Sequence, residues 1–178
     1  MKNKMNRSQA RKAAAEYMRR LYDRNLTTSS GGNISILTDL REIAISPGGK
    51  DKSKLLPEDI AIVDYNLNLL TPGINISMET GMHAAVYKAR PDISAIVHAH
   101  PPTATSFAAS NELIRPDLTG ETDLLCPGIE IVPYFKHGTT ELAEAASKGA
   151  EKSDCLLLKN HGALTLGKTI YEAFAKME

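Results

Sequence analysis

A mixed α/β fold is what this sequence predicts, and three features carry the expectation. Apolar segments with strand-like alternation recur between segments with helical spacing. The first strands are joined by short loops, which favours antiparallel neighbours. The chain has 178 residues, enough for one domain with a substantial core. No internal repeat, low-complexity tract or linker divides it, so residues 1–178 read as a single domain.

The elements follow in order. Ser8 to Asp23 reads as a helix of alanines and long straight side chains, capped by Asn6 or Ser8. Its apolar stripe is Ala10, Ala14, Tyr17, Met18 and Leu21. The glycine turn TTSSGGNIS then feeds a short strand through Ile34 and Ile36. Glu42 to Ser46 alternates as a second strand, the turn SPGGK follows, and IAIVDY reads as a third. A helix over 78–89 stops before Arg90-Pro91, because the residue preceding proline disfavours helix. Ile93 to His98 is a strand, and Pro102 to Ser110 a helix with proline in its first turn. Residues 111–128, polar and carrying Pro116 and Pro127, read mainly as loop. Beyond them come a strand from Gly128 to Pro133 and a helix from Thr139 or Thr140 through Lys152. Asp154 to Lys159 is a buried strand, Ala163 to Leu166 a short one, and Thr169 starts a helix.

Composition narrows the function classes. Lys plus Arg and Asp plus Glu both number 21, so no basic footprint argues for nucleic acid. Two cysteines, Cys126 and Cys155, make no disulfide framework, and Cys155 opens the apolar run CLLL as a buried thiol. The charged N-terminus has no apolar core of a secretory signal, and no stretch approaches the roughly 18 apolar residues of a membrane span. A soluble cytoplasmic protein is the expectation.

Chemistry concentrates between Ser77 and Pro101. Side chains at i and i+2 of a strand share a face, so His98 and His100 project side by side. Two imidazoles at that spacing suit a divalent metal such as zinc, which takes neutral ring nitrogens at roughly 2.0–2.1 Å. His161, after the strand LLLK, offers a third, and Glu79 an acid. Taken singly these are weak signals. A lone histidine at a strand end is more often a satisfied polar side chain, and an acid near a helix start is ordinary helix-dipole chemistry. Together they make a candidate metal-centred site. His83 reads as helix surface, and His137 has no assigned role. SGGNIS and SPGGK offer backbone N–H groups for an anion, although each alone is more often a plain turn. Neither is a P-loop or a dinucleotide-binding turn.

The order GGNIS, ISPGGK, Ser-x-Glu before a helix ending in RPD, VHAHPP, HGTTELA and KNHGAL resembles the class II aldolase/adducin family. That resemblance implies a three-layer α/β/α domain around a mainly antiparallel sheet, assembled as a homotetramer with active sites between subunits. It implies Zn2+, or another divalent metal, held by His98, His100, His161 and Glu79, with Glu79 also the acid/base. It places the phosphate of a sugar-phosphate substrate on Gly32, Asn33, Gly48, Gly49 and Ser77. The activity implied is reversible cleavage of an L-fuculose 1-phosphate-like ketose phosphate to dihydroxyacetone phosphate and an aldehyde, the metal stabilising the enediolate.

The chain departs from the fuculose enzymes at several points. They carry threonine where Gly48 stands and serine where Met78 stands, and Lys50 is the candidate point charge in compensation. Their catalytic tyrosine near position 119 is Thr119 here. A second tyrosine belongs to a C-terminal tail; either that tail is missing from this sequence or the enzyme works without it. The rival readings are an epimerase, a dehydratase or a decarboxylase on the same metal, and a non-catalytic adducin-like module. The epimerase pattern carries aspartate where this chain has Glu79, which favours the aldolase.

Overall fold

The computed structural model describes residues 5–110, 112, 114–115 and 119–178. Its helices are α1 (Arg7–Asp23), α2 (Thr80–Ala89), α3 (Pro102–Ala109), α4 (Gly120–Leu125), α5 (Thr140–Ala150) and α6 (Ile170–Met177). Its strands are β1 (Asn33–Leu37), β2 (Ile43–Ile45), β3 (Ala61–Val63), β4 (Ala95–Ala99), β5 (Ile129–Val132), β6 (Cys155–Leu158) and β7 (Gly162–Gly167). They form one seven-stranded sheet in the order β3-β2-β1-β4-β7-β6-β5. Every pair is antiparallel except β5 with β6.

Alternation along the strands sorts the helices into two layers. Ile34 and Ile36 of β1 and Ala95, Val97 and Ala99 of β4 pack with α1, α3 and α6. Leu37, Ile96, Leu164 and Leu166 pack on the other face with α2 and α5. This is the expected three-layer α/β/α arrangement with a mainly antiparallel sheet. α1 begins on a capping box, in which the Asn6 side chain accepts from Gln9 N–H and the Gln9 side chain from Asn6 N–H.

Two expectations are corrected. Within 111–128, Gly120–Leu125 is helical: Thr119 accepts from Thr122 N–H, and Glu121 and Asp123 favour the first turn. Pro127 follows this helix without preventing it. The rest of that expectation falls in part on 111, 113 and 116–118, which lie outside the described residues. Cys155 is not a thiol but is disulfide-bonded to Cys126. β6 and the end of α4 bring these two cysteines together across 29 residues of sequence.

Antiparallel pairing gathers the chemistry at one end of the sheet. Asn33, at the start of β1, stands opposite His98, near the end of β4. Ala99 stands opposite Ala163, near the start of β7. The SPGGK turn leaves β2 at the same end, since Ser35 of β1 pairs with Ile45.

Candidate metal centre and substrate pocket

His98 is fully buried, and its ring is oriented by the sheet. A carbonyl only accepts, so His98 donates Nδ1–H to Ala163 O at 2.9 Å and turns its Nε2 outward, toward Glu79. His100 follows β4 on the same face, and its Nε2 lies 3.2 Å from His98 Nε2. His161 sits in the turn joining β6 to β7, where Asn160 takes the left-handed backbone with φ 56° and His161 N–H closes on Leu158 O. The three histidines present ring nitrogens that lie within 4.8 Å of one another. Gly162 makes this possible, since a Cβ there would stand 2.5 Å from both Ala99 O and His100 Cδ2.

Glu79 caps the N-terminus of α2 and faces the same point. Its Oε2 lies 3.3 Å from His98 Nε2, and its Oε1 3.2 Å from His161 Nε2. Asn33 donates Nδ2–H to Glu79 Oε2 at 2.8 Å and contacts Ser77 Oγ at 3.0 Å. Glu79 Oε1 is buried without a hydrogen-bond partner. Burial works to raise the Glu79 carboxyl, but the charge and hydrogen bond of His98 and the hydrogen bond of Asn33 outweigh it, holding the group below the usual carboxylate range. Burial and the charge of His98 push His100 and His161 down to about 4, so both rings are neutral at physiological pH. Three imidazole nitrogens and an otherwise unpaired carboxylate oxygen fit a divalent cation. Zinc matches this nitrogen-rich donor set.

A cavity of about 460 Å³ opens beside this cluster. Its wall includes Gly32, Asn33, Gly48, Gly49, Ser77 and Glu79, so every residue expected at a phosphate faces one space with two of the histidines. Gly32 is required there: φ is +67°, and a Cβ would meet His98 O at 2.7 Å. The lysine at this wall is not the one expected. Lys50 is exposed and pairs with Asp59, whereas the neighbouring Lys52 is buried, lines the cavity and donates to Pro47 O. Burial pushes the Lys52 ammonium down to about 8, against a smaller upward effect of Glu79. Nothing in the run KDKSKL distinguishes 52 from 50, so only the turn geometry could select it.

Two histidines complete the picture. His137, without an assigned role from sequence, lines the cavity with its ring centroid 6.2 Å from that of His161. His83, expected on the helix surface, is fully buried. The cause is its place one turn beyond Glu79: positions i and i+4 share a helix face, and here that face meets polar Asn33 and Ser35 of β1. The i+4 spacing was the signal that could have found it.

Comparison with known proteins decides the family. Residues 12–178 match the model of the family described as Class II Aldolase and Adducin N-terminal domain. The chain belongs to this family. As a class II aldolase it is 40% identical to the L-fuculose phosphate aldolase of Methanococcus maripaludis over 90% of this chain and 86% of that one. It is 30% identical to the 3-oxo-tetronate 4-phosphate decarboxylase of Haemophilus influenzae, over 87% of this chain and 75% of the relative. A solved L-fuculose 1-phosphate aldolase superposes with a TM-score of 0.86 at 31% identity, covering 94% of this chain and 79% of that structure. No helix among the described residues is long and apolar enough to cross a membrane.

Proposed function

We propose that this class II aldolase reversibly cleaves a ketose phosphate of the L-fuculose 1-phosphate type to dihydroxyacetone phosphate and an aldehyde. The observation that carries the reading is the meeting of Glu79, His98, His100 and His161 at the mouth of a glycine-walled pocket. Those four residues would hold Zn2+. A divalent cation bound there supplies Lewis-acid charge for the electron pair that cleavage leaves on the substrate oxygens.

The chain's own residues do the rest. Gly32, Gly48 and Gly49 leave backbone open to the phosphate, and Asn33 and Ser77 offer polar side chains beside it. Lys52 supplies the neutralising charge, in place of the hydroxyls absent at Gly48 and Met78. Glu79 shuttles the proton: the C4 hydroxyl gives up its proton as the C3–C4 bond breaks and C4 becomes the aldehyde, and the pair left by that bond is protonated at C3 to complete dihydroxyacetone phosphate. Asn33 binds Glu79 Oε2, so Oε1 is the oxygen left to carry that proton. A homotetramer in the cytoplasm is part of the same reading, and sedimentation velocity checks the assembly.

Decarboxylation of a 3-oxo sugar-acid phosphate is the second reading, favoured by the Haemophilus relative and by Thr119 in place of the aldolase tyrosine. One screen separates them. Ketose 1-phosphates are assayed for aldehyde release, and 3-oxo acid phosphates for carbon dioxide, each with and without chelator. Chelator-sensitive aldehyde release from a ketose phosphate is expected; carbon dioxide release alone would replace the aldolase reading.

A further inference from the structure

A line of polar side chains runs between α2 and the sheet, through a layer otherwise apolar. Asn33 and Ser35 occupy alternate positions of β1 on the α2 face, while His83 and Tyr87 follow Glu79 at successive turns of the helix. All four side chains are buried. Tyr87 OH lies 2.9 Å from Ser35 Oγ and 3.0 Å from Ser35 O, and Ser35 Oγ lies 2.6 Å from His83 Nδ1. His83 Nε2 is 2.6 Å from Asn33 Oδ1, and Asn33 Nδ2 is 2.8 Å from Glu79 Oε2.

The protons in this line are fixed by what each group can do. A carboxylate only accepts, so Asn33 must turn its amide N–H toward Glu79 and its Oδ1 toward His83. Oδ1 also only accepts, so His83 Nε2 must carry a proton. Both ring nitrogens are buried against neutral partners, Asn33 and Ser35, so the ring is neutral and holds a single proton. Its Nδ1 is then a lone pair, and the Ser35 hydroxyl donates into it. Tyr87 is left as the donor that ends the chain.

We propose that His83 is a positioning residue for Glu79, acting through Asn33 to hold Oε2 and leave Oε1 free at the metal centre. His83 reaches neither the metal ligands' nitrogens nor the pocket. What it contributes is the orientation of one amide. Were the ring in its other tautomer, Asn33 would have to rotate its amide to satisfy it and would then present an oxygen to the carboxylate. The proposal rests on the reading of Glu79 as ligand and acid/base, and two of its measurements do not depend on the reaction.

The first is 15N NMR of histidine-labelled protein at neutral pH, with the His83 signals assigned by their loss in His83→Gln. An unprotonated Nδ1 and a protonated Nε2 are expected; the opposite tautomer or a doubly protonated ring overturns the proposal. The second is zinc affinity by chelator competition in His83→Phe, which keeps a ring but no hydrogen bonds. Supporting groups behind metal ligands are typically worth about 10–100-fold in affinity or activity, and a loss in that range is expected. Turnover on a ketose phosphate should fall similarly in kcat with KM within about threefold, and His83→Gln, which can place an N–H near Nε2, should recover most of both. A folded His83→Phe with wild-type zinc affinity and kcat overturns the proposal. If that variant does not fold, Ser35→Ala takes its place: Nδ1 loses its donor and the ring is held by Asn33 Oδ1 alone, so the Nε2–H tautomer should persist while zinc affinity falls, and wild-type zinc affinity overturns the proposal. Failure of aldolase activity with zinc and tautomer results as expected would fault the reaction assignment and leave the positioning role standing.

Discussion

The two ends of the pocket are built on different principles. The proposed metal end consists of side chains fixed by regular structure: His98 in β4, His100 one step beyond, His161 in the β6–β7 turn and Glu79 at the head of α2. The proposed phosphate end consists mostly of turn backbone at Gly32, Gly48 and Gly49, with a single buried ammonium at Lys52. Rigid side-chain donors suit a cation, whose coordination demands fixed directions. Backbone amides and one point charge suit an anion that is read by charge and shape. Changes at the first end should therefore abolish function, and changes at the second should grade it.

The largest effect is expected from His161→Ala. Loss of one ring leaves too few nitrogens for tight binding, so metal content should fall well below one per chain and activity by about 10³-fold or more, several kcal/mol in barrier. Elemental analysis checks this, and full zinc occupancy would remove His161 from the ligand set. Glu79→Gln should keep metal but lower turnover by about 10²–10⁴-fold, the range of general acid–base catalysis. Normal turnover in that variant would detach the two roles assigned to the carboxylate.

Lys52→Met tests the other end. A charge-assisted hydrogen bond is worth roughly 1.5–3 kcal/mol, so KM for a phosphorylated substrate should rise about 10–100-fold with a smaller change in kcat. The pH dependence has a definite sign. Burial has lowered the Lys52 ammonium to about 8, so charge is lost as pH rises through that value. Affinity for inorganic phosphate as a competitive inhibitor should fall across the same window in the wild type and stay flat in Lys52→Met. Folding stability moves the other way: between about 8 and the ordinary lysine value the unfolded chain holds the extra proton, so this group favours the fold more as pH rises. The smallest effect is expected from Met78→Ser, which restores a hydroxyl at an exposed position beside the cavity. KM should improve by no more than about tenfold, the worth of one neutral hydrogen bond.

Legibility follows the same division. The strand period of two set His98 beside His100, and the apolar runs bounded β4, β6 and β7 closely enough to put His161 at a strand end. Most helices were likewise visible in their caps and apolar stripes. The pairing of Asn33 with His98 was not, because register between distant strands depends on packing that no local pattern records. The burial of His83 is hidden for a related reason: whether a helix face is buried depends on the strand beneath it, and here β1 supplies Asn33 and Ser35. Lys52 and Lys50 differ only in which way a turn points them. α4 was passed over because prolines and polar residues around it outweighed a single threonine cap.

The missing side chain at Gly162 works as a gauge for the whole centre. It sets the closest distance at which β4 and β7 bring candidate ligands from distant parts of the chain together. Even the smallest addition, Gly162→Ala, would wedge the His100 ring away from its companions while leaving all four donor atoms chemically intact. Such a chain would retain every group needed to grip a cation and lack only the closeness to do so.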